Sequence, residues 1–225
     1  MNGLAVFDLD GTLVDTAPDL IDTTNVVLAR RGVPAMKAAD LLPHVGLGAR
    51  AMIDATLLAA GITLPDAEID ACHAEFLSHY GERIAKLSRP FPEMLDALAT
   101  LEGAGVGLAV CTNKREANAK ALLSALGLLH RFRFVAGADT FAVSKPDPGH
   151  LTQTIDKAGG TAERTVYVGD SRVDVMTARA ANVPIVGVTY GYTDVPMTAL
   201  DPDRLLNRGD DVGAAILELM GCLTV

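Results

Sequence analysis

Apolar residues along this chain follow two different rhythms. Short continuous runs occur at Leu4-Ala5-Val6-Phe7, Val106-Gly107-Leu108-Ala109-Val110-Cys111, Phe134-Val135-Ala136, Thr165-Val166-Tyr167-Val168 and Pro184-Ile185-Val186-Gly187-Val188. Runs of this length predict strands buried on both faces. Between them, apolar positions three and four apart predict helices over 92–103, 116–126, 173–181 and 211–220. A further helix is opened by Asp147 as cap and Pro148 at its first position, with Leu151, Ile155 and Ala158 on its buried side. Strands that alternate with helices in this way pair in parallel, joined by crossover connections.

Residues 16–90 break the alternation. Thr16 reads as a helix cap with Pro18 in the first turn, and Leu20, Thr24, Val27, Leu28 and Arg31 follow at helical spacing up to a stop at Gly32. Two more helical stretches are predicted near 48–60 and 66–87, and no strand is predicted between 16 and 90. The expected architecture is α/β: a doubly wound parallel sheet with a Rossmann-like core, built from residues 1–15 and 91–225, carrying an inserted helical cap domain at 16–90.

Composition narrows the function. The 225 residues carry a formal charge of −9, which argues against nucleic acid as a partner because a phosphate-backbone binder needs a basic face. A small anionic substrate stays open if cations are concentrated locally. No apolar run reaches the roughly 18 residues of a membrane span, and the amino terminus enters a strand directly, so a cytoplasmic protein without membrane attachment is expected. Cys72, Cys111 and Cys222 lack the paired spacing of a disulfide framework or a metal site. Cys111 is expected to fill a buried strand position.

The first strand carries the candidate chemistry. Residues two apart on an extended chain share a face, so Asp8 and Asp10 point into one crevice while Leu9 points away. Gly11 permits a sharp turn there. Two carboxylates about 5 Å apart repel by roughly 3 kcal/mol at an effective dielectric near 20, a cost that a cation or a shared proton relieves. In an open parallel sheet the loops at the carboxyl ends of the strands line one crevice, where Asp8, Asp10, Thr112, Lys145 and Asp170 are all expected to lie. Taken singly, Thr112 reads more readily as a helix cap than as a catalytic residue, Lys145 as a solvated loop residue, and Asp170-Ser171 as another cap. Lys114 and Arg115 are expected to be solvated, and the five histidines are assigned no chemistry.

As an ordered set these residues resemble the four signatures of the haloacid dehalogenase superfamily: Asp8-Leu9-Asp10-Gly11-Thr12, then Thr112, then Lys145, then Gly169-Asp170-Ser171-Arg172-Val173-Asp174. The resemblance implies a phosphatase that forms an aspartyl-phosphate. Asp8 would attack phosphorus, and Asp10 would protonate the leaving alkoxide and later activate water. Thr112 and Asn113 would donate to phosphoryl oxygens and Lys145 would stabilise their charge. Asp8, the Asp10 carbonyl and Asp170 would hold Mg2+, with Asp174 orienting them from behind. An all-oxygen donor set suits magnesium, and the lack of nearby His or Cys argues against zinc.

Within the superfamily, Asp8 through Leu20, Val45-Gly46-Leu47-Gly48-Ala49-Arg50, Thr112-Asn113-Lys114, Lys145-Pro146-Asp147-Pro148 and Tyr190-Gly191-Tyr192 resemble the phosphoglycolate phosphatase group. That likeness implies 2-phosphoglycolate as substrate, with Gly46 and Gly48 allowing close approach over the site and Arg50 available to a substrate carboxylate. Arg50 reads equally as the start of an exposed helix surface. Hydrolysis of an amino-sugar phosphate or pyrophosphate, and a phosphosugar mutase, remain open. A phospho-accepting signalling receiver is disfavoured by the Asp8/Asp10 spacing and the helical insertion. Glu93 and Asn182 depart from the group's usual glycines. A monomer or homodimer is expected.

Overall fold

The computed structural model describes residues 3–221. In chain order, β1 (Leu4–Phe7) and the short β2 (Val14–Asp15) lead into four helices: α1 (Ala17–Ala29), α2 (Ala38–Val45), α3 (Ala49–Ala59) and α4 (Asp66–Glu82). The chain returns through β3 (Arg89–Pro90) to α5 (Pro92–Gly103), β4 (Gly107–Cys111), α6 (Glu116–Ala125) and β5 (Phe134–Ala136). Then come α7 (Pro148–Lys157), β6 (Thr165–Gly169), α8 (Arg172–Ala180), β7 (Ile185–Val188), β8 (Arg204–Leu206) and α9 (Val212–Leu219).

Six strands form one sheet in the order β5-β4-β1-β6-β7-β8, with every neighbouring pair parallel. β1 lies inside the sheet, and its side chains alternate between two apolar layers, as the period of two requires. Ala5 and Phe7 join Met94 and Leu98 of α5, Leu122 of α6 and Ile216 of α9. Leu4 and Val6 join Leu151 and Ile155 of α7 and Val175 and Ala178 of α8. Helices on both faces explain why these strands read as unbroken apolar runs. The order of the sheet reverses direction about β1, so its carboxyl end opens at the switch point where such sheets bind ligands.

The four helices α1–α4 pack around a core of their own that includes Leu28, Leu41, Met52, Ile53, Phe76 and Tyr80. Two crossings connect this helical segment to the sheet. They pair antiparallel as β2 and β3, with Val14 opposite Pro90 and Asp15 opposite Arg89. β3 corrects the expectation of no strand between 16 and 90: a two-residue strand ending in proline leaves no periodicity to read.

Other elements also differ from expectation. α2 was not predicted, since Pro43 within it reads as a breaker. The third predicted helix ends at Glu82, not 87, because the backbone N–H groups of Leu87 and Ser88 turn to the buried Asp19 carboxylate at 2.9 and 2.7 Å. β8 escaped notice because its residues are mostly exposed. Thr16 occupies the cap position of α1, yet its hydroxyl makes no cap bond and donates to Asp10 instead. Asn182 adopts a left-handed φ of 54°, as its place at a helix end implies. Glu93 accepts from the Gly209 N–H at 3.1 Å and faces Arg208 at 3.5 Å. Cys72 and Cys111 are buried thiols, and Cys222 lies outside the described residues. No described helix is long and apolar enough to cross a membrane.

Candidate active site

The ends of β1, β4 and β6 and the loop before α7 deliver six of the expected residues to one place: Asp8, Asp10, Thr112, Lys145, Asp170 and Asp174. The buried Lys145 ammonium lies 2.9 Å from Asp8 Oδ1 and 2.7 Å from Asp174 Oδ1, and it donates to Tyr167 Oη at 2.9 Å. Its loop is held from two sides. Asn113 Nδ2 donates to the Lys145 carbonyl at 3.0 Å, and the Lys145 N–H donates to His150 Nδ1 at 3.2 Å. The other ring nitrogen of His150 bonds the Gly137 carbonyl at 3.0 Å.

The late acidic turn serves two ends. Ser171 and Asp174 form a reciprocal capping box at the start of α8, so the plain helix-cap reading holds for Ser171. Asp174 also accepts from Tyr167 Oη at 2.8 Å. Asp170 accepts from Thr12 Oγ1 at 2.7 Å and from the Tyr192 N–H at 2.6 Å. Two glycines make room for this carboxylate. A Cβ on Gly11, whose φ is 83°, would meet Asp170 Oδ2 at 2.6 Å, and one on Gly191 would meet Asp170 Cβ at 2.1 Å. Thr112 Oγ1 accepts from the Lys114 N–H at 3.1 Å, which leaves its own O–H free to donate.

Charge at this cluster is out of balance. Three buried carboxylates, Asp8, Asp170 and Asp174, lie together, and the Lys145 ammonium pairs with two of them, Asp8 and Asp174. Burial pushes the Asp8 carboxyl up to about 7; Lys145 opposes the rise, and Asp174 and Asp10 add to it. Burial also drives Asp170 well above the usual carboxylate range, aided by Asp174 and Asp8. Asp174 goes the other way: burial works against ionisation, but Lys145 holds it low. Lys145 is raised, since Asp174 and Asp8 outweigh its desolvation.

A cation would correct the imbalance, and the donors suit one. One oxygen from each of Asp8, Asp170 and Asp174 lies within 4.8 Å of the others. Asp8 Oδ1 is buried, and despite its nearness to Lys145 no well-directed hydrogen bond reaches it. Asp170 and Asp174 each have both oxygens bonded to protein donors, so Asp8 Oδ1 is the carboxylate oxygen of the three left without a protein hydrogen bond. An oxygen-only set favours a hard divalent ion.

Lys114 requires a correction. Expected in solvent, its side chain is only 7 % exposed, with Nζ 2.9 Å from Asp10 Oδ1 and 4.7 Å from the centre of the Tyr80 ring. Burial opposes its charge, yet Asp10 and Tyr80 hold its pKa above the usual value. Asp10 Oδ1 also accepts from Thr16 Oγ1 at 2.6 Å. Arg115 does lie in solvent, paired with Asp139. Tyr80 and Tyr167 were given no role from the sequence, His150 was assigned no chemistry, and Tyr192 was singled out only as part of Tyr190-Gly191-Tyr192. Tyr192 joins the site to the connection, donating its hydroxyl to Asp15 and accepting from the Ala17 N–H at 3.1 Å. The signal for Lys114 was its place in Thr112-Asn113-Lys114 just beyond β4, and that for Tyr192 was Tyr190-Gly191-Tyr192; nothing in the sequence marked Tyr80 or Tyr167.

Above the cluster opens a cavity of about 520 Å3. Asp8, Asp10 and Lys145 form its floor, while Val45, Met52, Phe76 and Tyr80 wall it from the helical segment. Gly46 and Gly48 line its rim. Arg50 lines it too but does not join the cluster; its guanidinium is engaged by Asp70 at 2.5 Å and Asp54 at 3.7 Å.

The profile of the haloacid dehalogenase-like hydrolases matches residues 5–188. This chain belongs to that family. A relative from Mesorhizobium japonicum, named phosphoglycolate phosphatase, is 46% identical over 215 residues, covering 96% of this chain and 95% of its own. A protein of the same name from Agrobacterium fabrum is 46% identical, covering 97% and 94%. Among solved structures, a predicted phosphoglycolate phosphatase from Haemophilus somnus superposes with a TM-score of 0.87 at 31% identity, covering 96% of this chain and 97% of that one.

Proposed function

We propose that this haloacid dehalogenase-like hydrolase is a magnesium-dependent phosphatase that cleaves 2-phosphoglycolate through an aspartyl-phosphate on Asp8. The observation that carries the reading is Asp8 itself: a buried carboxylate oxygen with no well-directed hydrogen bond, beside an ammonium and two further carboxylates, at the floor of a cavity. The names of relatives at 46% identity over almost the whole chain support the substrate.

In this scheme Asp8 forms the new bond to phosphorus while the ester oxygen departs with a proton from Asp10. Water then attacks the aspartyl-phosphate, Asp10 takes the water's proton, and phosphate leaves with the carboxylate of Asp8 restored. The Thr112 hydroxyl and the Asn113 backbone donate to phosphoryl oxygens, and Lys145 stabilises their charge and holds Asp8 in line. Asp8, Asp170 and the Asp10 carbonyl would hold Mg2+, with Asp174 fixing Lys145 behind them. When bound, the ion offsets charge between two anions and so lets a carboxylate approach a phosphate. Residues 16–90 act as a cap over a core made of 1–15 and 91–225, and close the cavity against water.

The test is a panel of phosphate monoesters assayed with magnesium for phosphate release. The expected result is highest kcat/KM for 2-phosphoglycolate, with Asp8→Asn folded and inactive. Preference for a sugar phosphate or pyrophosphate overturns the substrate, and phosphate retained on the product overturns hydrolysis. Turnover by Asp8→Asn removes Asp8 as nucleophile.

A further inference from the structure

Three cationic side chains line the cavity away from the Lys145 end: Arg50, Lys114 and Arg115. Two are open to solvent. The Arg50 side chain is 43 % exposed and held by Asp70 and Asp54, and that of Arg115 is 60 % exposed and held by Asp139. Water and salt weaken any further pairing they could make. Lys114 is the desolvated one, and a charge-assisted bond to it is correspondingly strong.

Its position is set by the acid it touches. Lys114 Nζ lies 2.9 Å from Asp10 Oδ1 and over the ring of Tyr80, whose buried hydroxyl has no hydrogen-bond partner among the described residues. A buried donor without an acceptor is costly unless something arrives to accept from it. If Asp10 gives its proton to the departing ester oxygen, that oxygen sits within hydrogen-bond reach of Asp10. In 2-phosphoglycolate one methylene separates the ester oxygen from the carboxylate. A carboxylate so close to Asp10 falls beside Lys114 and the Tyr80 hydroxyl.

We propose that Lys114 selects the substrate, by receiving a carboxylate carried on the carbon next to the ester oxygen. This deepens the function proposed above and rests on it. Lys145 cannot serve, because Asp8, Asp174 and Tyr167 already surround its ammonium. Lys114 meets the leaving group from the side opposite the phosphate, and Tyr80 brings the donor from α4.

The experiment compares 2-phosphoglycolate with 2-hydroxyethyl phosphate, an ester of the same length whose leaving group is uncharged, in wild type, Lys114→Met and Arg50→Met. Losing one charged hydrogen bond is expected to reduce the kcat/KM preference for 2-phosphoglycolate about thirtyfold in Lys114→Met, mostly through KM. Arg50→Met is expected to keep the preference. An equal loss on both esters in Lys114→Met, total loss included, would make Lys114 a support for Asp10 alone and overturn the proposal. Collapse of the preference in Arg50→Met but not in Lys114→Met would overturn it as well, by moving the carboxylate to the cap. A wild type that favours 2-phosphoglycolate keeps the underlying function intact in either case. One that does not prefer it overturns that substrate and this proposal together.

Discussion

Lys145 and His150 show how one side chain's chemistry depends on another's protonation. Lys145 can hold Asp8 and Asp174 at 2.9 and 2.7 Å only because its loop is pinned, and His150 is one of the pins. To accept from the Lys145 N–H, His150 Nδ1 must be bare, so the ring is neutral with its proton on Nε2, donated to the Gly137 carbonyl. Burial, with Lys145 adding to it, pushes the ring down to about 4 from an ordinary 6.5. Between those values the unfolded chain binds a proton that the native protein refuses, so native stability falls as pH drops through that window. At pH 5 the loss relative to pH 7 is expected to be about 2 kcal/mol. Urea unfolding of wild type and His150→Gln at both pH values measures it; the variant should lack that part of the decline, and an identical decline would rule His150 out as its source.

Among the elements, the paired connection β2/β3 decides how the helical segment meets the sheet. Its geometry depends on Asp19 in α1. That carboxylate accepts the N–H groups of Leu87 and Ser88 and the Ser88 hydroxyl, and so turns the chain out of α4 toward β3. Nothing in the local sequence of 83–88 demands this turn; a partner nearly 70 residues earlier supplies it. Removing the acid leaves these donors without an acceptor, so Asp19→Ala should cost about 3 kcal/mol in urea unfolding. A loss under about 1 kcal/mol would show that water replaces the carboxylate freely. On the other side of the connection, Tyr192 ties Asp15 and the Ala17 N–H to the loop that grips Asp170, so the start of α1 and the acid cluster share one hydrogen-bonded link.

For the whole molecule, the doubly wound sheet gathers three carboxylates from two distant strand ends against one ammonium, and folding has to bear that repulsion. Raised pKa values at Asp8 and Asp170 express the same cost. An ion that binds only the folded protein therefore stabilises all of it. With magnesium at about a hundredfold over its Kd, stability should rise by about 2.7 kcal/mol. For a chain of this size that raises Tm by about 5 °C or more. Chelation should remove both the increment and the turnover, and Asp170→Asn should abolish the increment. A wild-type Tm indifferent to magnesium would count against an ion at this cluster.

The sheet and most of the candidate site were legible without coordinates, and for one reason. A strand buried on both faces must be apolar along its whole length, so β1, β4, β6 and β7 announced themselves, and the polar residues that end them had to share an edge. Asp8, Asp10, Thr112 and Asp170 follow from that local logic. What the sequence by itself left open depended on neighbours remote in the chain. Lys114 looked solvated because its burial comes from Asp10 and Tyr80, about a hundred and about thirty residues away. Thr16 looked like a cap because nothing nearby shows that Asp10 competes for its hydroxyl. α2 and β8 were hidden because one contains a proline and the other lies mostly in solvent. Patterns of period two or 3.6 report which face is buried, and carry no record of which side chain lies opposite; that pairing, and with it the polar chemistry above the acids, was decided only when the helices closed over the sheet.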